Sequence, residues 1–493
     1  YTVGATHRDA TGIDLRPEVA PLLIAEPYLH EGTHTVQDLV GNQAQLSFAY
    51  VNTSGIKLID PPPVAEEPVV VTKPADASPD PVLVNGEENA LGKLERAEAN
   101  GTVGQTLRVD HDETQTVLEG EEQNIRFSLP FTDVSDEYTG ALNGETVKLM
   151  ERKNTVIELL TPNAAYTLPA HQIKIDQVAE QLGQPGDLRN IEVRVQVAET
   201  GAEQVQFIRQ AATRQKVQIV VPPVDFTIEC VYEDKVVEVQ KFSGYVSRMI
   251  LIPDDVDPAS ISTAVVLHRD GTLGHVPTKI VLIDGKYYAK INALTNSSYS
   301  LVQNQVGFAD ALGHWAAEAI ADMSERMIVL GMTTERFDPQ RSVTRAEFVV
   351  MLVRALGLEG QGSVGGHVFD DIGDDDWFAQ DFKVAHEYGL VAGDAYGLAN
   401  PYGELTREQA VAMLARAVEL AEKDVVGDAA TELAGFADRA EVAEYAKEAV
   451  AYFVREGLLR GRAGSTLAPR ATLTRAEAAV FLQRTLQHCD LID

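Results

Sequence analysis

One set of spacings, kept three times over in the last third of the chain, constrains the fold more than any other feature. It is anchored on Thr344-Arg-Ala-Glu347, Thr406-Arg-Glu-Gln409 and Thr474-Arg-Ala-Glu477. Thirteen residues before each threonine stands a glycine (Gly331, Gly393, Gly461), and five before it a proline (Pro339, Pro401, Pro469). Ten after it stands an arginine (Arg354, Arg416, Arg484), and twenty-nine before it an aromatic (Trp315, Trp377, Tyr445). Upstream of the aromatics come Phe308-Ala-Asp310, Phe369-Asp-Asp371 and Phe436-Ala-Asp438. Chance does not hold five spacings across three copies. Self-similarity of this kind marks one supersecondary unit, repeated.

Each copy reads as helix, loop, helix. The first helix follows the aromatic, over 316–326 in copy one. The glycine just past its end is expected in a left-handed cap, where the missing Cβ is an advantage. The proline breaks the loop, and the second helix opens at the threonine. Threonine with Glu or Gln three residues on is a capping box, so Thr344 with Glu347, Thr406 with Gln409 and Thr474 with Glu477 have a sufficient structural role. The arginine between them does not. A cation in the first turn faces the positive end of the helix dipole, at a cost of roughly 0.3–1 kcal/mol. Arg345, Arg407 and Arg475, each beside free N-terminal amides, are therefore read as carboxylate-binding corners. On this reading Arg407→Ala weakens binding and leaves stability nearly unchanged. The bland alternative is a solvated or ion-paired surface arginine.

These residues resemble the S-layer homology family. In copy one Phe308, Asp310, His314-Trp-Ala316, Gly331, Phe337-Asp-Pro339 and Thr344 to Glu347 match its motif, and the likeness runs from Phe308 to Gln487. The resemblance implies that the repeats, 304–358, 366–421 and 433–488, build one all-α pseudo-threefold unit, a trimer of repeats with a central bundle. It implies that grooves between repeats bind secondary cell-wall polysaccharide, typically at a sugar carrying a pyruvate ketal. On that likeness the polysaccharide-binding residues are expected among Arg345, Arg407, Arg475, Asp310, Asp371, Asp438, Trp315, Trp377, Gly331 and Gly393. The tryptophans also fit a plainer role as core anchors at the helix start. The copies depart from one another: Tyr445 replaces Trp, Ala399 replaces the loop Phe, and Arg336 stands where a loop glycine is usual. The grooves need not bind equally, and the copy-two loop with Gly393, Asp394 and Gly397 ranks among those expected to bind.

Upstream the pattern is β-rich, and four further regions are expected. Residues 1–60 form a β-rich segment ending in Gln45 to Val51, which alternates as a strand does. Residues 61–94, opening on Pro61-Pro-Pro63, read as a Pro-rich, acidic linker. Residues 95–220 read as an α+β module with an antiparallel sheet, its strands near Asn124 to Leu129 and Ile191 to Val197, its helices near 144–153 and 172–182. Residues 221–303 read as an antiparallel β-sandwich, with Asp270-Gly271 and Asp284-Gly285 as hairpin turns. Val276-Pro-Thr-Lys279 and Leu294-Thr-Asn-Ser297 resemble the β-domain that precedes such repeats in surface proteins of Paenibacillus-like bacteria.

Composition excludes some partners. The formal net charge is −33, which repels nucleic acid and anionic lipid and favours cations, calcium among them. No apolar run has the length of a membrane span. A chain opening on Tyr1 rather than Met is expected to be a processed or truncated product. The two cysteines, Cys230 and Cys489, make no disulfide or metal pattern, and Cys230 is expected as a buried thiol. His30-Glu-Gly-Thr-His34 matches the zinc-protease signature H-E-x-x-H. That chemistry needs a helix, and Pro27 and Gly32 oppose one, so no metal site and no catalytic residue are assigned. The expectation is an extracellular, wall-anchored structural protein that self-associates into a layer or fibre, through residues 1–60 among others, and is not an enzyme. The alternative is a wall-anchored hydrolase or binding protein with its working domain in 1–220.

Overall fold

The computed structural model describes residues 80–99, 101–360, 368–462 and 465–493, with the backbone of four strands nearer the N-terminus. The chain forms two compact units, Tyr1–Pro68 and Val69–Asp493. In the first, His7–Arg8 pairs with Asp14–Leu15, and Leu29–Gln37 forms a hairpin with Gln43–Val51. The zinc-protease motif thus lies on a strand. Residues four apart on a strand stand about 13 Å apart along the chain, against about 6 Å on a helix. The helical backbone spacing that the signature requires is therefore not the one this segment has. The linker residues 61–79 lie outside the described residues.

In the second unit a sixteen-stranded, nearly closed sheet precedes the helical repeats. Three expectations are corrected here. Residues 80–94, assigned to the linker, supply the strand Asp80–Val84 and most of Glu87–Ala99, which pair with each other. The 95–220 region is not purely antiparallel. Thr102–Val109 pairs in parallel with Glu137–Asn143, and Arg126–Pro130 with Val156–Leu160. The helices His111–Gly120 and Gly144–Arg152 lie in these crossovers, as parallel pairing demands. Finally, no separate sandwich begins at residue 221. The boundary falls inside the strand Gln218–Tyr232, which pairs with Glu192–Glu199 on one side and Ser298–Gln303 on the other. One apolar cluster, from Val82 to Leu301, fills the interior. The two-residue turn at Asp284-Gly285 has positive φ at both positions (50° and 79°), the geometry that joins Thr278–Ile283 to Lys286–Thr295. Cys230 is fully buried on an inward strand position.

The helical region opens at Phe308. Its helix pairs are Ala317–Glu325 with Arg345–Ala355, Ala379–Glu387 with Arg407–Leu420, and Lys447–Arg455 with Arg475–His488. They share one core, to which Leu294 of the sheet region also belongs. Tyr245 donates to the carbonyl of Leu356 (2.9 Å), and Arg326 to that of Thr278 (3.0 Å), so sheet and repeats are bonded across their junction. Among the described residues no helix is long and apolar enough to cross a membrane.

Candidate functional site

Each repeat starts its second helix with a capping box. The threonine hydroxyl accepts from the backbone N–H of Glu347, Gln409 or Glu477, and that side chain accepts from the threonine N–H. The next two amides are not free. Arg345 N–H donates to Gly403 O (2.9 Å) and Ala346 N–H to Pro401 O (2.8 Å). The same pair of bonds runs from Arg407 and Glu408 to Ala471 and Pro469, and from Arg475 and Ala476 to Arg341 and Pro339. Each helix end is therefore plugged by carbonyls of another repeat, one of them the repeated proline's. An open amide corner waiting for an anion, expected from sequence, is not present. A second set of bonds closes a ring: Val343 N–H to Leu473 O, Leu473 to Leu405, Leu405 to Val343.

The repeated glycines and aspartates hold the loops. Gly331, Gly393 and Gly461 are not at left-handed positions; Met327, Gly389 and Gly457 take those, at φ 62–71°. A Cβ at Gly331 would stand 2.4 Å from the Phe308 ring, at Gly393 3.2 Å from the Phe369 ring, and at Gly461 2.7 Å from the Phe436 ring. Close approach, not φ, is what requires glycine there. Asp310 accepts from the amides of Phe337 and Asp338, Asp371 from Ala399 and Asn400, and Asp438 from Leu467 and Ala468, all at 2.6–2.9 Å. The second residue of each pair has positive φ, so the carboxylate pins a tight loop turn. At Asp310 burial raises the pKa, but these amides outweigh it and hold the carboxyl below its ordinary value. Trp315 and Trp377 are each 64 % exposed, which removes them from the core; Ala316 and Phe378 beside them fill it instead.

The three motif arginines are not equivalent. Arg407 is buried: Nε donates to Leu467 O (3.1 Å), one terminal nitrogen to Glu477 Oε1 (2.7 Å), the other to Arg460 O (3.3 Å). Arg475 is equally buried, with Nε on Phe337 O (2.8 Å), a terminal nitrogen on Leu330 O, and its guanidinium 4.4 Å from the Phe337 ring centre. Both are committed to the fold, which opposes the expectation that Arg407→Ala leaves stability nearly unchanged. Arg345 differs. It reaches Ala392 O (2.9 Å), but its buried Nε meets no acceptor. At the loop position of Phe337 and Leu467 stands Ala399, which has no ring to stack on. Burial, and then the nearby Arg416, push the Arg345 pKa below its ordinary value. The charge is desolvated and incompletely answered.

A cavity of about 400 Å³ opens at this point. Arg345 of repeat one, Gly393, Asp394 and Leu398 of the repeat-two loop, Gln409 and Arg416 of its second helix, and Tyr445 of repeat three line it. Asp394 is turned into its own loop, accepting from the amides of Tyr396 and Leu398. Glu404 lies exposed at the rim. Tyr445 is 61 % exposed. The cavity thus offers two cations, Arg345 and Arg416, with an amide and an aromatic flank, a lining that can hold an anionic sugar. Sequence reasoning did not assign Gln409 beyond its cap, nor Arg416 and Tyr445. The signal was the departure from the common motif at Gln409 and Tyr445, and for Arg416 its recurrence with Arg354 and Arg484 in all three copies.

The model of the S-layer homology domain matches residues 307–349 and 435–479, within the first and third repeats. The chain thus carries S-layer homology sequence in these two repeats. It is 32% identical over 199 residues to an amylopullulanase of Thermoanaerobacterium thermosulfurigenes, covering 40% of this chain and 10% of that one. Likeness to the surface-layer 125 kDa protein of Lysinibacillus sphaericus is 29%, over 38% of this chain and 15% of the relative. A cellulosome-anchoring protein of Acetivibrio thermocellus is 27% identical over 31% of this chain and 33% of its own length. The chain spans only 10% of the amylopullulanase and 21% of an endoglucanase from a Bacillus strain.

Proposed function

We propose that this is a structural cell-surface protein of an S-layer or its surroundings, held non-covalently on the wall by its three repeats acting as one pseudo-threefold unit. The cavity at Arg345 takes the carboxylate of a pyruvate ketal on secondary cell-wall polysaccharide. The observation that carries this is the Arg345 guanidinium, whose buried Nε meets no acceptor, beside Gln409 and Tyr445. The ring of bonds through Val343, Leu405 and Leu473 supports the threefold unit. In this reading the sheet region is a spacer, residues 1–60 make contacts between copies, and divalent cations such as calcium screen the net charge of −33.

Arg345→Ala is expected to weaken binding to purified walls by at least about tenfold, the worth of one charge-assisted contact. Walls stripped of pyruvate should bind the parent as weakly as intact walls bind the variant. Full binding of the parent to stripped walls would overturn the carboxylate reading. For self-association, deleting residues 1–60 should reduce particle size in light scattering, and unchanged assembly would remove that role. A second reading has support in the glycoside hydrolases among the relatives: an anchored hydrolase working through residues 1–220. Release of reducing sugar from glucan or xylan by the purified chain would favour it.

A further inference from the structure

The three capping boxes differ at one atom pair, and that difference bears on the cavity. Glu477 receives both Arg407 (2.7 Å) and Arg462 (2.6 Å), and Glu347 receives Arg341. In repeat two the same position holds Gln409, whose Oε1 accepts from Thr406 N–H just as the glutamates do in their boxes. It forms the cap and carries no charge. Among the described residues no arginine is bonded to its side chain, although Arg416 lines the same cavity: where repeat one has Arg341, repeat two has Gly403, and where repeat three has Arg462, repeat two has Asp394. In repeat three the cap glutamate thus takes up the motif arginine Arg407; in repeat one it takes up Arg341, and Arg475 goes to the carbonyls of Phe337 and Leu330. A glutamine leaves Arg345 unspent.

We propose that Gln409 is the specificity-determining residue of the repeat-two cavity: its neutrality keeps Arg345 available to an anionic sugar, and a glutamate there closes the site. This rests on the anion-binding role given to Arg345 above. The physical argument is competition. A carboxylate fixed within reach of the guanidinium is present at very high effective concentration, so a ligand carboxylate must displace it. The Nε of Arg345 is buried, so either carboxylate gains more there than at an exposed arginine. The substitution also leaves the cap intact, because glutamate makes the same box in the other two repeats.

The test uses the full chain and calorimetric titration with a methyl hexoside carrying a pyruvate ketal, its methyl ester serving as the uncharged control. The parent is expected to bind the acid and not the ester. Gln409→Glu should bind the acid at least about tenfold more weakly at neutral pH, with unchanged thermal melting. As pH falls into the carboxylate range the new glutamate protonates, and the variant should regain affinity relative to the parent. A merely structural effect would not follow pH in this way. Arg345→Ala separates the two claims. If it binds like the parent, the assignment of Arg345 fails and the gate fails with it. If it loses binding while Gln409→Glu binds like the parent, the gate alone is overturned.

Discussion

Arg407→Ala is expected to destabilise the helical repeats by about 3–5 kcal/mol, the usual consequence of stripping one partner from a buried ion pair. Arg345→Ala, at the matching position one repeat earlier, should cost about 1 kcal/mol, the worth of its bond to Ala392 O. The asymmetry follows from what each side chain touches. Removing Arg407 leaves Glu477, 8 % exposed, with Arg462 as its remaining cation among the described residues, and strands the carbonyls of Leu467 and Arg460. It also removes the cation lying 5.3 Å from the Phe481 ring centre. Removing Arg345 exposes one carbonyl beside a cavity already open to water. Urea unfolding followed by the helical circular dichroism signal measures both. Equal losses in the two variants would show that the arginines play one common role, and the distinction drawn between the grooves would fall.

The helical third was legible because its signals are local. Thr344 and Glu347 lie three residues apart, and a box closed at that distance needs no knowledge of the rest of the chain. What the sequence concealed is contact between repeats. Gly331 looks like a helix cap when only its neighbours are considered. Its reason is the Phe308 ring, twenty-three residues back. Likewise the arginine corners look open until Pro401 and Gly403 of another repeat fill the amides beside Arg345. The boundary expected at residue 221 falls beside Pro222-Pro223, and in the fold the strand runs through them, with register shifts from Ile219 to Val224 where the ladder loses two donors. Strand and hairpin positions could be read from alternation and from Asp-Gly turns. Which strands meet is fixed by partners distant in sequence, and periodicity carries no such information.

Arg248→Ala is expected to cost the sheet region on the order of 4 kcal/mol, the joint effect of a cavity and several orphaned acceptors. The strand Lys241–Leu251 turns Phe242, Gly244, Val246, Arg248 and Ile250 inward, so an arginine occupies a core position by parity alone. It is fully buried and forms no ion pair among the described residues. Its terminal nitrogens instead donate to Val246 O (2.8 Å), Thr295 O (2.7 Å) and Asn296 Oδ1 (2.9 Å). Four rings, those of Tyr166, Tyr299, Phe242 and Phe226, stand 4.9–5.8 Å from the guanidinium carbon and face it with π density. Burial pushes the Tyr166 hydroxyl up to about 12 despite the nearby cation, so it stays a neutral donor to Asn296. Carbonyl oxygens and ring faces thus answer the charge in place of a carboxylate. Two variants divide the effect. Arg248→Met restores most of the volume without the donors, so its loss reports the unmet carbonyls. The further loss in Arg248→Ala reports the void. Thermal unfolding of both, followed by near-ultraviolet circular dichroism of the tyrosines, gives the comparison; both tryptophans lie in the repeats. If Arg248→Ala melts with the parent, the caged arginine is not a keystone of the sheet, and the ring contacts are packing without electrostatic weight.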